Sequence, residues 1–117
     1  MADTEIEIVE YENNAGKNAF RDWLADLETR AFARVTSAIA RMRLGNFGDV
    51  KPVGGGVSER RIDYGRGYRI YFGRDGKKLV VLLGGGSKSR QNKDIQAAQK
   101  AWLEYKKTKK EKKDGTD

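Results

Sequence analysis

Between Val57 and Leu83 three short runs of strand-forming residues follow one another with only tight turns between them, and no other feature restricts the fold as much. The runs are Val57 to Asp63, Tyr68 to Phe72 and Leu79 to Leu83. Gly65 and Gly67 punctuate the first connection, and Asp75-Gly76 within R-D-G-K marks the second as a tight hairpin. Strands joined this closely form an antiparallel meander. Upstream, Thr4 to Tyr11 alternates acid and aliphatic, with Ile6 and Ile8 on one face and Glu5 and Glu7 on the other, as a half-buried strand does. Asn13 and Asn14 then offer an N-cap to a helix whose stripe is Phe20, Trp23, Leu24 and Leu27. A second helix carries Phe32, Val35, Ile39 and Met42 and ends near Gly45, and the two helices form a hairpin. Pro52 and Gly54 to Gly56 read as a loop before the meander. A last helix, from about Asn92 to Lys107, lines up Ile95, Ala98, Trp102 and Tyr105. The order is β-α-α-β-β-β-α, an α+β domain with helices packed on a small, mostly antiparallel sheet.

At 117 residues the chain is about one small domain, expected over residues 1–106, with 107–117 as a basic disordered tail because nothing in K-K-T-K-K-E-K-K-D-G-T-D can be buried. The net charge of +7 is local: residues 1–12 hold five acids and no base, whereas residues 51–90 hold ten bases and three acids. A basic excess of this kind favours a polyanion such as nucleic acid. Without Cys there is no disulfide or thiolate zinc site, and without His the commonest metal ligand and general base are both missing. Acidic first residues with no apolar core after them do not resemble a signal peptide. The longest aliphatic run, Leu79 to Leu83, is far short of the ~18 residues of a membrane span, so a cytoplasmic protein without a membrane partner is expected.

Strand alternation then selects candidate residues. Tyr68, Ile70 and Phe72 point one way and Arg69 and Tyr71 the other. With the apolar set against the helices, Arg69 and Tyr71 face water. On the preceding strand Ile62 faces inward, which puts Glu59 and Arg61 on the open face and leaves Arg60 at the core rim. Glu59, Arg61, Arg69 and Tyr71 thus share one surface, bordered by Lys88 and Arg90. Guanidinium groups fork onto phosphates and an aromatic plane stacks on bases, so the surface suits single-stranded RNA. Gly84-Gly85-Gly86-Ser87-Lys88-Ser89 fails the phosphate-loop pattern, since Ser87 separates glycine from lysine, but its glycines allow close backbone approach to a phosphate with Lys88 supplying charge. Gly65-Arg66-Gly67 reads as a turn, and Trp23 and Trp102 as core.

The segment V-K-P-V-G-G-G-V-S-E-R-R-I-D-Y-G-R-G-Y-R-I-Y-F, followed by L-V-V-L-L-G-G-G-S-K-S and a D-I-x-x-A helix start, resembles the RelE/ParE toxin superfamily, in its HigB-like branch of addiction module killer proteins. The resemblance covers roughly residues 5–106 and is densest from Lys51 to Lys88. It implies the toxin of a type II toxin–antitoxin pair. Such a toxin is a metal-independent endoribonuclease that cuts mRNA on the ribosome, needs no cofactor and is neutralised by a cognate antitoxin, often of helix-turn-helix type. By the same resemblance Arg69 acts on the scissile phosphate, Arg61 lies near the attacking 2′-hydroxyl, and Lys88 and Arg90 match the basic stretch after the last strand. Lys51, Tyr71 and Arg74 join Arg90 as expected RNA contacts. Two positions depart from the family pattern: Glu59 stands where some relatives have a lysine, and Asp94-Ile95 replaces a tyrosine near the final helix. Glu59 and Lys88 are both chemically suited to move the proton of the 2′-hydroxyl. The superfamily also holds ParE-like gyrase inhibitors that cut no RNA, and a basic RNA-binding module without catalysis is a third reading.

Overall fold

The computed structural model describes residues 5–114. Its elements are β1 (Glu7–Glu10), α1 (Ala19–Ala25), α2 (Thr29–Arg43), β2 (Val50–Gly54), β3 (Val57–Ile62), β4 (Tyr68–Arg74), β5 (Leu79–Ser87), a 3-10 turn at Lys88–Arg90, and α3 (Gln91–Asp114). They build a five-stranded mixed sheet in the order β1-β5-β4-β3-β2. The meander pairs antiparallel, whereas β1 lies parallel to β5, from Glu7 opposite Leu79 to Glu10 opposite Leu82. Intervening α1 and α2 supply the crossover that a parallel pair requires.

One more strand is present than the sequence suggests. Val50–Gly54, expected as a loop, forms β2 along the edge of β3. Pro52 disguises it, but a proline at a sheet edge forfeits no ladder bond when its missing N–H faces away from the sheet. The sequence also misplaces the first helix cap. Asn18 is the N-cap, its Oδ1 accepting from the Arg21 N–H at 2.9 Å. Asn13 instead closes a turn, accepting from the N–H groups of Ala15 and Lys17. Thr4, at the start of the expected first strand, lies outside the described residues.

Alternation along the strands feeds two separate cores. On one face α1 and α2 bury Phe20, Leu24, Val35, Ala38 and Met42 against Ile62, Ile70, Phe72, Val80 and Leu82. On the other, α3 buries Ala98 and Trp102 against Val57, Tyr71, Val81 and Leu83. The layers are therefore helix, sheet, helix, and the sheet has no wholly wet face. Gly73 makes the second layer possible, because a β-carbon there would run into the Trp102 ring. The helix also outruns its expected end. Residues 107–114, read as disordered, continue α3, while residues 115–117 lie outside the described residues. Lys109 pairs with Asp75, and the Tyr105 hydroxyl donates to Asp75 Oδ2 at 2.7 Å, which fastens this part of the helix to the β4–β5 turn. Among the described residues no helix is long and apolar enough to cross a membrane.

Candidate nucleic-acid interface

The β3–β4 register sets Arg61 opposite Arg69 and Glu59 opposite Tyr71. Residues opposed across an antiparallel pair project to the same face. All four candidates thus share one side of the sheet, as alternation requires, but α3 divides them. Glu59 and Tyr71 lie completely buried beneath the helix, and this corrects the expectation that they face solvent. The physical reason is the Ile95, Ala98 and Trp102 stripe, which needs apolar surface and takes it from this face. Tyr71 is thus unavailable for stacking on a base. Burial, reinforced by the charges of Glu59 and Asp94, holds its hydroxyl far above the ordinary tyrosine range, and among the described residues that hydroxyl has no hydrogen-bond partner.

Arg61 and Arg69 emerge beyond the first turn of α3. There they line an open cleft of about 380 Å³ together with Lys88, Arg66, Tyr68 and two carboxylates, Asp49 and Asp63. Each arginine has a carboxylate beside it. Arg61 Nη2 donates to Asp49 Oδ1 at 3.0 Å, and this contact lowers the Asp49 carboxyl below its ordinary value. Arg69 Nε lies 3.4 Å from Glu59 Oε1, a charge contact without a directed hydrogen bond. The side chain of Arg69 is 11% exposed, so the expectation that it stands free in water is corrected, whereas that of Arg61 is 41% exposed. Glu59 also accepts from Gln91 Nε2 at 3.0 Å. One buried carboxylate therefore ties together β3, Arg69 of β4 and the first residue of α3.

That tie positions the rest of the cleft. Lys88 and Arg90 sit in the 3-10 turn immediately before Gln91, and both are exposed. Lys88 faces the arginine cleft, and Arg90 lines a second cavity beside it. Lys51 is exposed on β2 opposite Glu59, at the flank of this surface. Arg74 does not belong to it. It lies at the far end of β4, its guanidinium over the Phe47 ring at 4.5 Å and donating to the Lys77 carbonyl at 3.0 Å. The glycine run needs correcting as well: a β-carbon on Gly85 would collide with the Trp23 ring and one on Gly86 with the Asp94 carboxylate. The space directly over these two glycines is taken by Trp23 and Asp94, and what stays open is the second cavity between them.

Three contributors escaped the sequence reading. Arg66, read only as part of a turn, lines both cavities, and its position inside the locally basic segment was the available signal. Gln91 carried none, and Asp94 was visible only as a departure from the family pattern, because the part of each follows from where α3 docks.

The fold and this surface together define a small three-layer α+β domain with a cation-lined cleft at one end of its sheet. Over 80 residues the chain is 49% identical to an uncharacterized protein of Haemophilus influenzae (strain ATCC 51907 / DSM 11121 / KW20 / Rd), covering 68% of this chain and 81% of that protein, and it belongs to the same family. No family model matches the chain.

Proposed function

We propose that the chain is a RelE/HigB-like toxin, a metal-independent endoribonuclease that cuts mRNA on the ribosome and is neutralised by a cognate antitoxin. The observation that carries this reading is the direct cross-strand pairing of Arg61 with Arg69 at a cleft that Lys88 also lines. The elements follow the expected order with the edge strand β2 added to it. Three cations converging on one partly enclosed space suit a phosphate whose charge grows as the 2′-hydroxyl attacks it, and such stabilisation is the largest contribution protein groups make to this class of reaction. Arg69, held by Glu59, and Arg61, held by Asp49, present their guanidinium groups in fixed orientations. Glu59 is walled in under α3 and has no access to the substrate, so its role changes from proton acceptor to tether. Lys88 is then the cleft's group for proton transfer, as donor to the departing 5′-oxygen, while the proton of the attacking 2′-hydroxyl passes to water.

Arg69 also neutralises a buried carboxylate, so Arg61→Ala and Lys88→Ala are the cleaner tests. Both side chains are solvent-accessible and neither change should move stability by more than about 0.5 kcal/mol. Each variant should lose about 10²- to 10³-fold in the rate of appearance of new 5′ ends on translated mRNA, with an unchanged melting curve. Full cleavage by a folded Arg61→Ala protein would overturn the reading. So would a wild-type chain that blocks DNA supercoiling by gyrase yet leaves mRNA intact, and that result would establish the ParE-like alternative.

A further inference from the structure

Beside the arginine cleft, and sharing Arg66 and Tyr68 with it, lies a second cavity of about 380 Å³. Its walls come from several elements, among them α1, β4, β5 and α3, that meet beyond the end of β1. Because β1 pairs with β5 only from Leu79 to Leu82, the stretch from Leu83 to Ser87 has a partner strand on one side alone. Gly85, Gly86 and Ser87 line the cavity along this unpartnered edge, with Trp23 of α1 on one flank and Asp94 of α3 on the other. Trp23 and Tyr68 are half-buried aromatics.

Asp94 is the unusual member. Among the described residues it has no hydrogen-bond or ion-pair partner, although the docking of α3 over Gly86 leaves it half-buried. Burial raises its carboxyl above the ordinary aspartate value, opposed by the nearby Arg90. Neither of its oxygens is sealed from water, so the carboxylate is an acceptor that a donor entering the cavity can reach. Of the other two carboxylates on this wall, Asp26 is exposed to water and Glu28 is already engaged, accepting from the N–H groups of Arg30 and Ala31 at the start of α2. The two cavities thus differ in balance: Arg61, Arg66, Arg69 and Lys88 outnumber Asp49 and Asp63 in the first, whereas the second sets three carboxylates against Arg66 and Arg90 and holds a spare acceptor near Trp23 and Tyr68.

From this juxtaposition we infer that the second cavity receives the base of a ribonucleotide whose phosphate lies in the arginine cleft, and that Asp94 selects bases bearing an exocyclic amino group. The inference rests on the RNA reading above and adds its selectivity. Aromatic walls supply the stacking surface that single-stranded bases use. An ionised aspartate accepts from the amino group of cytosine but meets only a carbonyl oxygen at the same place on uracil, and two acceptors repel. Arg66, lining both cavities, is placed to hold the phosphate between them.

The test compares binding of the pentaribonucleotides rC5 and rU5, followed through tryptophan fluorescence, for the wild type, Asp94→Asn and Asp94→Ala. The wild type should bind rC5 about tenfold more tightly than rU5. The near-isosteric Asp94→Asn carries an amide that can turn either way, so its preference should shrink to less than twofold while its affinity for rU5 is unchanged or improved. Asp94→Ala should lose the preference as well. Equal wild-type affinities, or a preference that survives both substitutions, would sink the base pocket and leave the nuclease reading standing. Selection of rC5 by a protein that cuts no mRNA would do the reverse, and failure to bind either oligonucleotide would remove both.

Discussion

Replacing Glu59 with Ala should destabilise the domain far more than replacing any carboxylate on its surface. Glu59 is completely buried and holds two partners, Gln91 Nε2 at 3.0 Å and Arg69 Nε at 3.4 Å. With the Arg69 side chain only 11% exposed, water cannot take the carboxylate's place. Removing one member of a buried pair costs about 3 to 5 kcal/mol, because the other charge stays behind uncompensated. The unsatisfied Gln91 amide adds about 1 kcal/mol. Even the low end of that sum, about 4 kcal/mol, is a large part of the roughly 5 to 15 kcal/mol that stabilises a domain of this size. With a urea m value of about 1.5 kcal/mol/M, it lowers the unfolding midpoint by about 2.7 M. Glu59→Gln, which keeps an acceptor for Gln91 but not the charge, should fall between. The decisive measurement is a double-mutant cycle with Arg69→Met, read by urea denaturation. Removing both charges strands neither, so the double variant should be more stable than the summed single losses require by at least about 1 kcal/mol. Additive losses, or a midpoint for Glu59→Ala within about 0.5 M of wild type, would refute the tether and with it the account of how Arg69 is held.

The phase of the central strands was legible because their residues alternate without ambiguity. Ile62, Ile70 and Phe72 do face the α1 and α2 layer, and Arg61 and Arg69 do share the opposite side. What alternation cannot supply is the identity of the cover. An amphipathic α3 announces that it must bury a stripe but not against which face, and Tyr71 and Glu59 changed from surface to interior on that choice alone. The clue was Gly73, a glycine inside a strand of bulky residues, where Trp102 comes to rest. Similar reasons explain the boundaries. The last strand was expected to stop at Leu83, where side chains give way to glycines, yet its ladder needs only backbone and runs on to Ser87 through an irregularity opposite Tyr71 and Phe72. That irregularity resets the phase of β5, which is why Gly85 meets Trp23 on one side and Gly86 meets Asp94 on the other. Competition among neighbours misplaced the first cap: Asn13, Asn14 and Asn18 are all capable, and Asn13 closes a turn instead.

The glycine run gives a sharp contrast between adjacent positions. Gly85→Ala should cost about 1 to 3 kcal/mol in urea denaturation through overpacking against Trp23, whereas Gly84→Ala, with nothing within 4 Å of its new methyl, should be neutral or mildly stabilising. Equal effects at the two sites would show that Trp23 does not rest where the structure puts it. The second contrast is in pH. The Tyr105 hydroxyl donates to Asp75, and burial followed by that bond and the Asp75 charge pushes it up to about 12. Its folded value lies above the value near 10 of an unfolded chain, so the contribution of this bond is complete below about pH 10 and is lost as the pH climbs toward the folded value. Between pH 9 and 11 the wild type should therefore lose more stability than Tyr105→Phe, which has no phenol proton to surrender. Lys109, paired with the same carboxylate, is present in both proteins and cancels from the difference. Urea midpoints that fall in parallel for the two proteins over this range would show that the end of α3 is held to the β4–β5 turn by Lys109 and the stacking of Tyr105 on Trp102, and not by the phenol.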